Sequence, residues 1–170
     1  MPLEYAEPGT AERIYDVEKA VGLNSPNQNG DVKLVQHMLI CIYASGFATP
    51  PSKPLVMDGW IGPITVEWIK RFQQDVNAKG HLFARTAKWK DPSIKKCEVD
   101  GRVDAILNVS QVGQVSGKPY TISWMNAILR KLNPAAHANI PNVVPCKRTA
   151  YSNRPNPYNP EPFEMESGGF

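Results

Sequence analysis

Two stretches of this 170-residue chain obey the same local rule, and that repetition restricts the fold more than any other feature. Met57-Asp58-Gly59-Trp60-Ile61 is echoed by Val99-Asp100-Gly101-Arg102-Val103. After the first, Thr65 is followed by Trp68, Ile69, Phe72 and Val76. After the second, Thr121 is followed at the same offsets by Trp124, Met125, Ile128 and Leu132. That spacing puts a tryptophan and three apolar residues on one face of a helix. In the first helix Glu67, Lys70, Arg71 and Gln74 take the opposite face, which makes it strongly amphipathic. Each threonine is placed to act as an N-cap. The copies differ between turn and helix, where the second carries an insertion from Ala105 to Pro119, rich in Val, Gly, Gln and Ser. Val109, Val112 and Val115 give that insertion weak strand character, so it reads as a loop or small hairpin.

A third helix precedes the first turn. Asp31 is positioned as its N-cap, and Val32, Val35, Leu39 and Ile42 form an apolar stripe. Lys33, Gln36 and His37 fall on the other side. Leu34, Met38 and Cys41 widen the apolar arc, which calls for cover on a second side. Gly46 ends the helix. Thr10 to Val21 reads as a short N-terminal helix using Ile14, Val17 and Val21. From Pro134 onward, Pro141, Pro145, Pro155, Pro157, Pro160 and Pro162 favour an extended, polyproline-like course. Tyr151, Tyr158 and Phe163 give that tail apolar handles, so its start is expected to wrap on the domain. The resulting expectation is a mainly α protein: an arm over 1–24, a helical domain over 25–133 with the insertion at 105–119, and a proline-rich tail over 134–170.

A net charge of +3, with no run of Lys and Arg interleaved with aromatics, argues against a nucleic-acid partner. The pairs Lys95-Lys96 and Arg130-Lys131 read as solvated surface. The three cysteines, Cys41, Cys97 and Cys146, show no C-x-x-C spacing and leave at least one thiol unpaired. A Cys97–Cys146 bridge holding the tail is compatible with the sequence but not specified by it. No apolar run is long enough to cross a bilayer. The N-terminus lacks a basic region followed by an apolar run, so the chain is expected to be made in the cytoplasm without a signal peptide. Action at the periplasm, the cell wall or outside the cell would then follow non-classical delivery.

Catalysis finds little support. His37, His81 and His137 show no zinc-peptidase spacing and read as surface or loop residues; no metal and no cofactor is implied. Cys41 lies mid-helix and Cys146 follows Pro145, neither at a helix start. Glu98, Asp100 and Asp104 cluster at the second turn, where turn formation and solvation explain them, although pairing of carboxylates is spatial and pattern alone does not settle it. With the three helices assigned, too little chain remains for a usual catalytic domain. No catalytic residue is assigned.

Taken together, Gly30-Asp31-Val32, Val35-Gln36, Leu39, Gly46-Phe47, Asp58-Gly59-Trp60-Ile61-Gly62, Thr65 and Phe72-Gln73 resemble the peptidoglycan-binding domain of bacterial and phage cell-wall hydrolases. The resemblance covers about Gly30 to Val76. It departs from the family at Trp68, where a small residue is usual, and in the third-helix region, which is rebuilt around Asp100-Gly101 and the insertion. It implies a three-helix bundle and a cell-wall ligand. Peptidoglycan offers apolar sugar faces together with peptide carboxylates and amides, so a site needs aromatic surface and fixed polar groups. On that basis Tyr43, Phe47, Asp58, Trp60, Ile61, Arg71 and Gln74 are the expected ligand-binding residues. The bland alternatives are that Trp60 packs on the core, that Asp58 caps its own turn, and that Arg71 is only solvated. The leading expectation is noncatalytic peptidoglycan binding, within a phage or secretion system. The alternatives are an adaptor that uses the same fold to bind a protein partner, and a small muralytic enzyme.

Overall fold

The structure is a computed structural model and describes residues 1–6, 12–106, 114–115 and 118–150. It is predominantly helical. In chain order it has β1 (Leu3–Ala6), β2 (Arg13–Asp16), β3 (Val21–Gly22), α1 (Asn29–Ala44), α2 (Pro63–Lys79), a 3-10 turn (Gly80–Leu82), α3 (Ala87–Lys90), β4 (Arg102–Val103), β5 (Gln114–Val115), β6 (Lys118–Pro119), α4 (Thr121–Leu132), α5 (Pro134–Ala138), α6 (Ile140–Val143) and β7 (Lys147–Arg148).

Helix α1 lies at the centre because it is apolar on two sides. Val32, Val35, Leu39 and Ile42 are fully buried, and so are Leu34 and Met38 on the wider arc. Helices α2 and α4 supply the cover, each packing on α1. Gly46 ends α1 as expected, with φ +85° and its N–H on Tyr43 O at 3.0 Å. Trp68 and Trp124 are buried at matching places on α2 and α4. Each indole N–H reaches a loop carbonyl ahead of a turn: Trp68 on Lys53 O at 2.8 Å and Trp124 on Lys96 O at 3.3 Å.

Several expectations are corrected. None of the three long helices starts on a side-chain cap. Helix α1 begins at Asn29, and buried Asp31 accepts the N–H groups of Glu18 (3.0 Å) and Lys19 (2.9 Å), tying the arm to the helix. Helix α2 starts at Pro63, whose fixed φ suits the first helical position, so Thr65 lies inside the first turn. Thr121 is the first residue of α4, not its cap. Gln36, placed on the polar side of α1 from its spacing, is 1% exposed.

The described part of the N-terminal segment is strand, not helix. β1 and β2 pair antiparallel with Leu3 opposite Asp16 and Ala6 opposite Arg13, while Thr10 lies outside the described residues. Tyr5 in β1 and Ile14 and Tyr15 in β2 favour extended backbone, and Asn126 clamps β2 onto α4. Tyr15 N donates to Asn126 Oδ1 at 3.0 Å, and Asn126 Nδ2 donates to Tyr15 O at 2.8 Å. The far edge of β1 takes β7 in parallel, with Leu3 opposite Lys147. The first stretch of the tail is therefore wrapped, but in short helices: Pro134 and Pro141 lie in the first turns of α5 and α6, where a missing N–H costs nothing. In the insertion, Val115 falls in β5, which pairs with β6. Val109 and Val112, and the tail residues Tyr151, Pro155, Pro157, Tyr158, Pro160, Pro162 and Phe163, lie outside the described residues.

Two surface assignments also change. Lys96 is fully buried, its Nζ donating to Asp91 O (2.9 Å) and Ile94 O (2.6 Å), which is how a buried ammonium is satisfied. His137 is buried, edge-on to Tyr15 and within 3.0 Å of Asn126 Oδ1. Cys41, Cys97 and Cys146 are all free thiols.

Candidate binding site

The first turn is held by one side chain. Gln36 Nε2 donates to Asp58 Oδ1 (2.9 Å), Trp60 O (3.1 Å) and Thr65 Oγ1 (3.2 Å), and its Oε1 accepts Gly59 N–H (2.9 Å). Asp58 Oδ1 also accepts Trp60 N–H at 2.9 Å. These bonds to Trp60 N–H and Gln36 hold the Asp58 carboxyl below its ordinary pKa, so it stays ionised. Gly59 has φ +77°, which a residue with a Cβ adopts at a cost. A Cβ there would also sit 2.2 Å from Asn29 Nδ2, the group that donates to Gly59 O at 3.1 Å.

The second turn repeats this arrangement. Gln73 Nε2 donates to Asp100 Oδ1 (2.8 Å), Arg102 O (2.9 Å) and Thr121 Oγ1 (3.2 Å), and its Oε1 accepts Gly101 N–H (2.9 Å). Asp100 Oδ1 accepts Arg102 N–H at 2.9 Å, and Gly101 has φ +73°. The glutamines were absent from the expected site. Their signal in the sequence is an apolar–Gln pair, Val35-Gln36 and Phe72-Gln73, ahead of each Asp-Gly.

The first turn presents Trp60 outward. Its ring is 75% exposed and does not pack on the core. Ile61, which follows it, lines an open groove of about 1060 Å³ that runs along the outer face of α2. Arg71 and Gln74 line the same groove with Lys70, between Leu23 on one wall and Pro50-Pro51 on the other. Arg71 is not merely solvated: it pairs with Asp75 at 3.2 Å. Three of the seven expected ligand residues thus share one concave surface, with Asp58 and Trp60 on the turn that leads into it.

Tyr43 and Phe47 are elsewhere. They are 5% and 4% exposed, and they belong to an aromatic cluster in which Tyr43 meets Trp68 edge-on and Phe47 packs against Phe72 and Phe83. The Tyr43 hydroxyl donates to Asp75 Oδ2 at 2.7 Å. Burial, followed by that bond, pushes the phenol's pKa up, so it remains a neutral donor. Tyr43 therefore positions Asp75, which in turn holds Arg71; Phe47 offers a ligand no ring face.

Among the described residues no group of three or more His, Cys, Asp or Glu side chains is placed to hold a metal ion, and no helix is long and apolar enough to cross a membrane. Burial pushes the Cys97 thiol up to about 12, and the Cys146 thiol likewise, keeping both protonated. Glu98 is exposed and paired with Lys95 and Lys118. No known protein family, curated protein or solved structure matches the chain.

Proposed function

We propose that the chain is a noncatalytic binder of bacterial peptidoglycan, built as a divergent three-helix peptidoglycan-binding bundle of α1, α2 and α4. The observation that carries this reading is Trp60: a large aromatic held out in water by a locked turn, beside a groove whose lining mixes apolar residues with Lys70, Arg71, Gln74 and Glu67. An exposed indole on a rigid support suits the apolar face of a sugar ring or a short peptide side chain. Arg71, aligned by Asp75, and Gln74 suit the carboxylates and amides of the stem peptide. The ligand residues in this reading are Asp58, Trp60, Ile61, Arg71 and Gln74. Tyr43 and Phe47 support them from the core.

The test is co-sedimentation of the purified protein with insoluble sacculi, alongside Trp60→Ala and Arg71→Ala. Binding that weakens in both variants supports wall recognition at this turn. Binding that is unchanged in both keeps the function and discards the site. No binding moves the fold to a protein partner, and clearing of the suspension over time would make the chain a hydrolase.

A further inference from the structure

The two turns share their hydrogen bonds, but among the described residues only the second is covered by another strand. There, Val21 and Gly22 of β3 pair antiparallel with Val103 and Arg102 of β4, and Leu23 N donates to Gly101 O at 3.3 Å. The approach is close enough that a Cβ on Gly22 would lie 2.0 Å from Gly101 O. A main chain is what occupies this seat.

Gly59, Trp60 and Ile61 stand in the first turn where Gly101, Arg102 and Val103 stand in the second. Gly59 O is served by Asn29 Nδ2 in place of a strand N–H. The Trp60 N–H and C=O are used by Asp58 and Gln36. The N–H and C=O of Ile61 have no hydrogen-bond partner among the described residues, whereas those of Val103 lie in register with Val21. One position of an antiparallel ladder, able to give and take one backbone bond, is thus left open beside the groove that Ile61 lines.

We infer that this open position takes an extended peptide, and that the part of peptidoglycan bound here is the stem peptide and not the glycan. The inference rests on the wall-binding reading above. An extended peptide presents an N–H and a C=O on one edge at the spacing that Ile61 requires, whereas the N–H and C=O of a sugar's acetamido group point to opposite sides of a single trans amide. Lys70 and Arg71 line the groove beside it, with Arg71 held by Asp75 and Glu67 the acid in the same lining, and the two cations suit the carboxylates that such a peptide carries. Trp60, exposed at the position before Ile61, offers apolar surface to the side chains of such a peptide.

The experiment uses the full chain and one amidase digestion of sacculi, which yields stem peptides and peptide-free glycan strands. Affinity is measured by calorimetry for each product, for undigested sacculi fragments, and for an acidic all-L peptide of equal length. Stem peptides should bind, with glycan strands at least roughly tenfold weaker, the scale of one lost anchoring contact. Ile61→Pro, which deletes the N–H, should weaken peptide binding by a similar factor. If Ile61→Pro melts early by circular dichroism, exchange of the Ile61 amide in the unsubstituted protein decides: the peptide must slow it. Glycan strands binding as well as intact fragments, with stem peptides inert, overturns the inference and leaves wall binding standing. Peptide binding with no slowing at Ile61 overturns the ladder position. Tighter binding of the all-L peptide overturns the stem-peptide assignment in favour of a protein strand. Failure of every wall-derived ligand removes the wall-binding reading, and this inference with it.

Discussion

Gln36 and Gln73 stand on successive long helices, and each holds the turn that follows its own helix by the same bonds to an Asp, a Gly, a main-chain carbonyl and a Thr. The glutamine also reaches the start of the next helix, so it fixes helix, turn and helix together. Helix α2 belongs to both units: Thr65 receives Gln36 near its start, and Gln73 lies about two turns further along. On α4 the residue at the same offset from Thr121 is Leu129, and the series stops there.

Replacing either glutamine should therefore cost far more than an average polar substitution. Gln36→Ala leaves the buried Gly59 N–H without its partner and the half-buried Trp60 C=O with only the long Thr65 Oγ1 contact at 3.5 Å. At about 1–3 kcal/mol for each unsatisfied group, the expected loss is roughly 2–4 kcal/mol, with a similar value for Gln73→Ala. Gln36→Glu should be no better, because it replaces the donor facing Asp58 with a second negative charge. Urea titration reads all three, and a loss below about 1 kcal/mol in Gln36→Ala would show that the turn is held by something else.

Much of this scaffold is legible from periodicity. The stripes of α1, α2 and α4 and the two tryptophans at equal offsets specify the helices and their buried faces. The partners of polar residues are harder to read. Gln36 shares helical spacing with Lys33 and His37, and only the neighbouring turn makes it an interior residue. Thr65 and Asp31 carry the chemistry of caps but spend their oxygens on Gln36 and on the arm. The arm's strands are too short to show a period, and the second edge of β1 is taken by Lys147 and Arg148, which are distant in sequence. Tyr43 and Phe47 group with Trp60 in the sequence because aromatics near a turn serve either a ligand or a core, and sequence does not separate the two. Exposure does: the aromatic that leaves the core is Trp60.

The left-handed glycines offer a finer test. Gly59→Ala combines a backbone penalty at φ +77° with a collision against Asn29. Gly101→Ala has the same backbone penalty, but its new methyl meets the flexible end of Lys70 at 3.0 Å and Val66 at 3.1 Å. Gly59→Ala should thus be the more destabilising of the two. In an Asn29→Ala background its cost should fall towards the backbone penalty alone, about 1 kcal/mol. A double-mutant cycle by thermal or urea unfolding measures the coupling, and additive effects would refute the collision.

His137 makes stability depend on pH. Burial, with the Arg130 charge adding to it, lowers its pKa from 6.5 to about 4. Asn126 Oδ1 only accepts, so neutral His137 donates to it from Nε2. A base whose folded pKa is depressed is protonated more readily in the unfolded chain. Its contribution is therefore complete above pH 6.5 and is lost as pH falls towards 4. The expected loss over that interval is on the order of 2 kcal/mol. His137→Gln should flatten this part of the curve, measured as urea midpoints from pH 7 downward. An unchanged slope would assign it to carboxylates instead.

The tryptophans separate folding from recognition. Trp68→Ala removes a buried ring that meets Tyr43 edge-on and donates to Lys53 O, so a loss of roughly 3–5 kcal/mol is expected, as for a large core truncation. Trp60→Ala removes a side chain that is 75% exposed, and the bonds holding its turn use only its main chain. Its stability should stay within about 0.5 kcal/mol of the unsubstituted protein. Its affinity for sacculi should nevertheless drop, because the indole is the largest apolar surface the turn offers. Measuring both quantities on both variants tests the reading cleanly. Equal loss of stability in Trp60→Ala would place the ring in the fold after all. Unchanged stability with unchanged sedimentation would leave the turn as scaffold and move recognition elsewhere on the molecule.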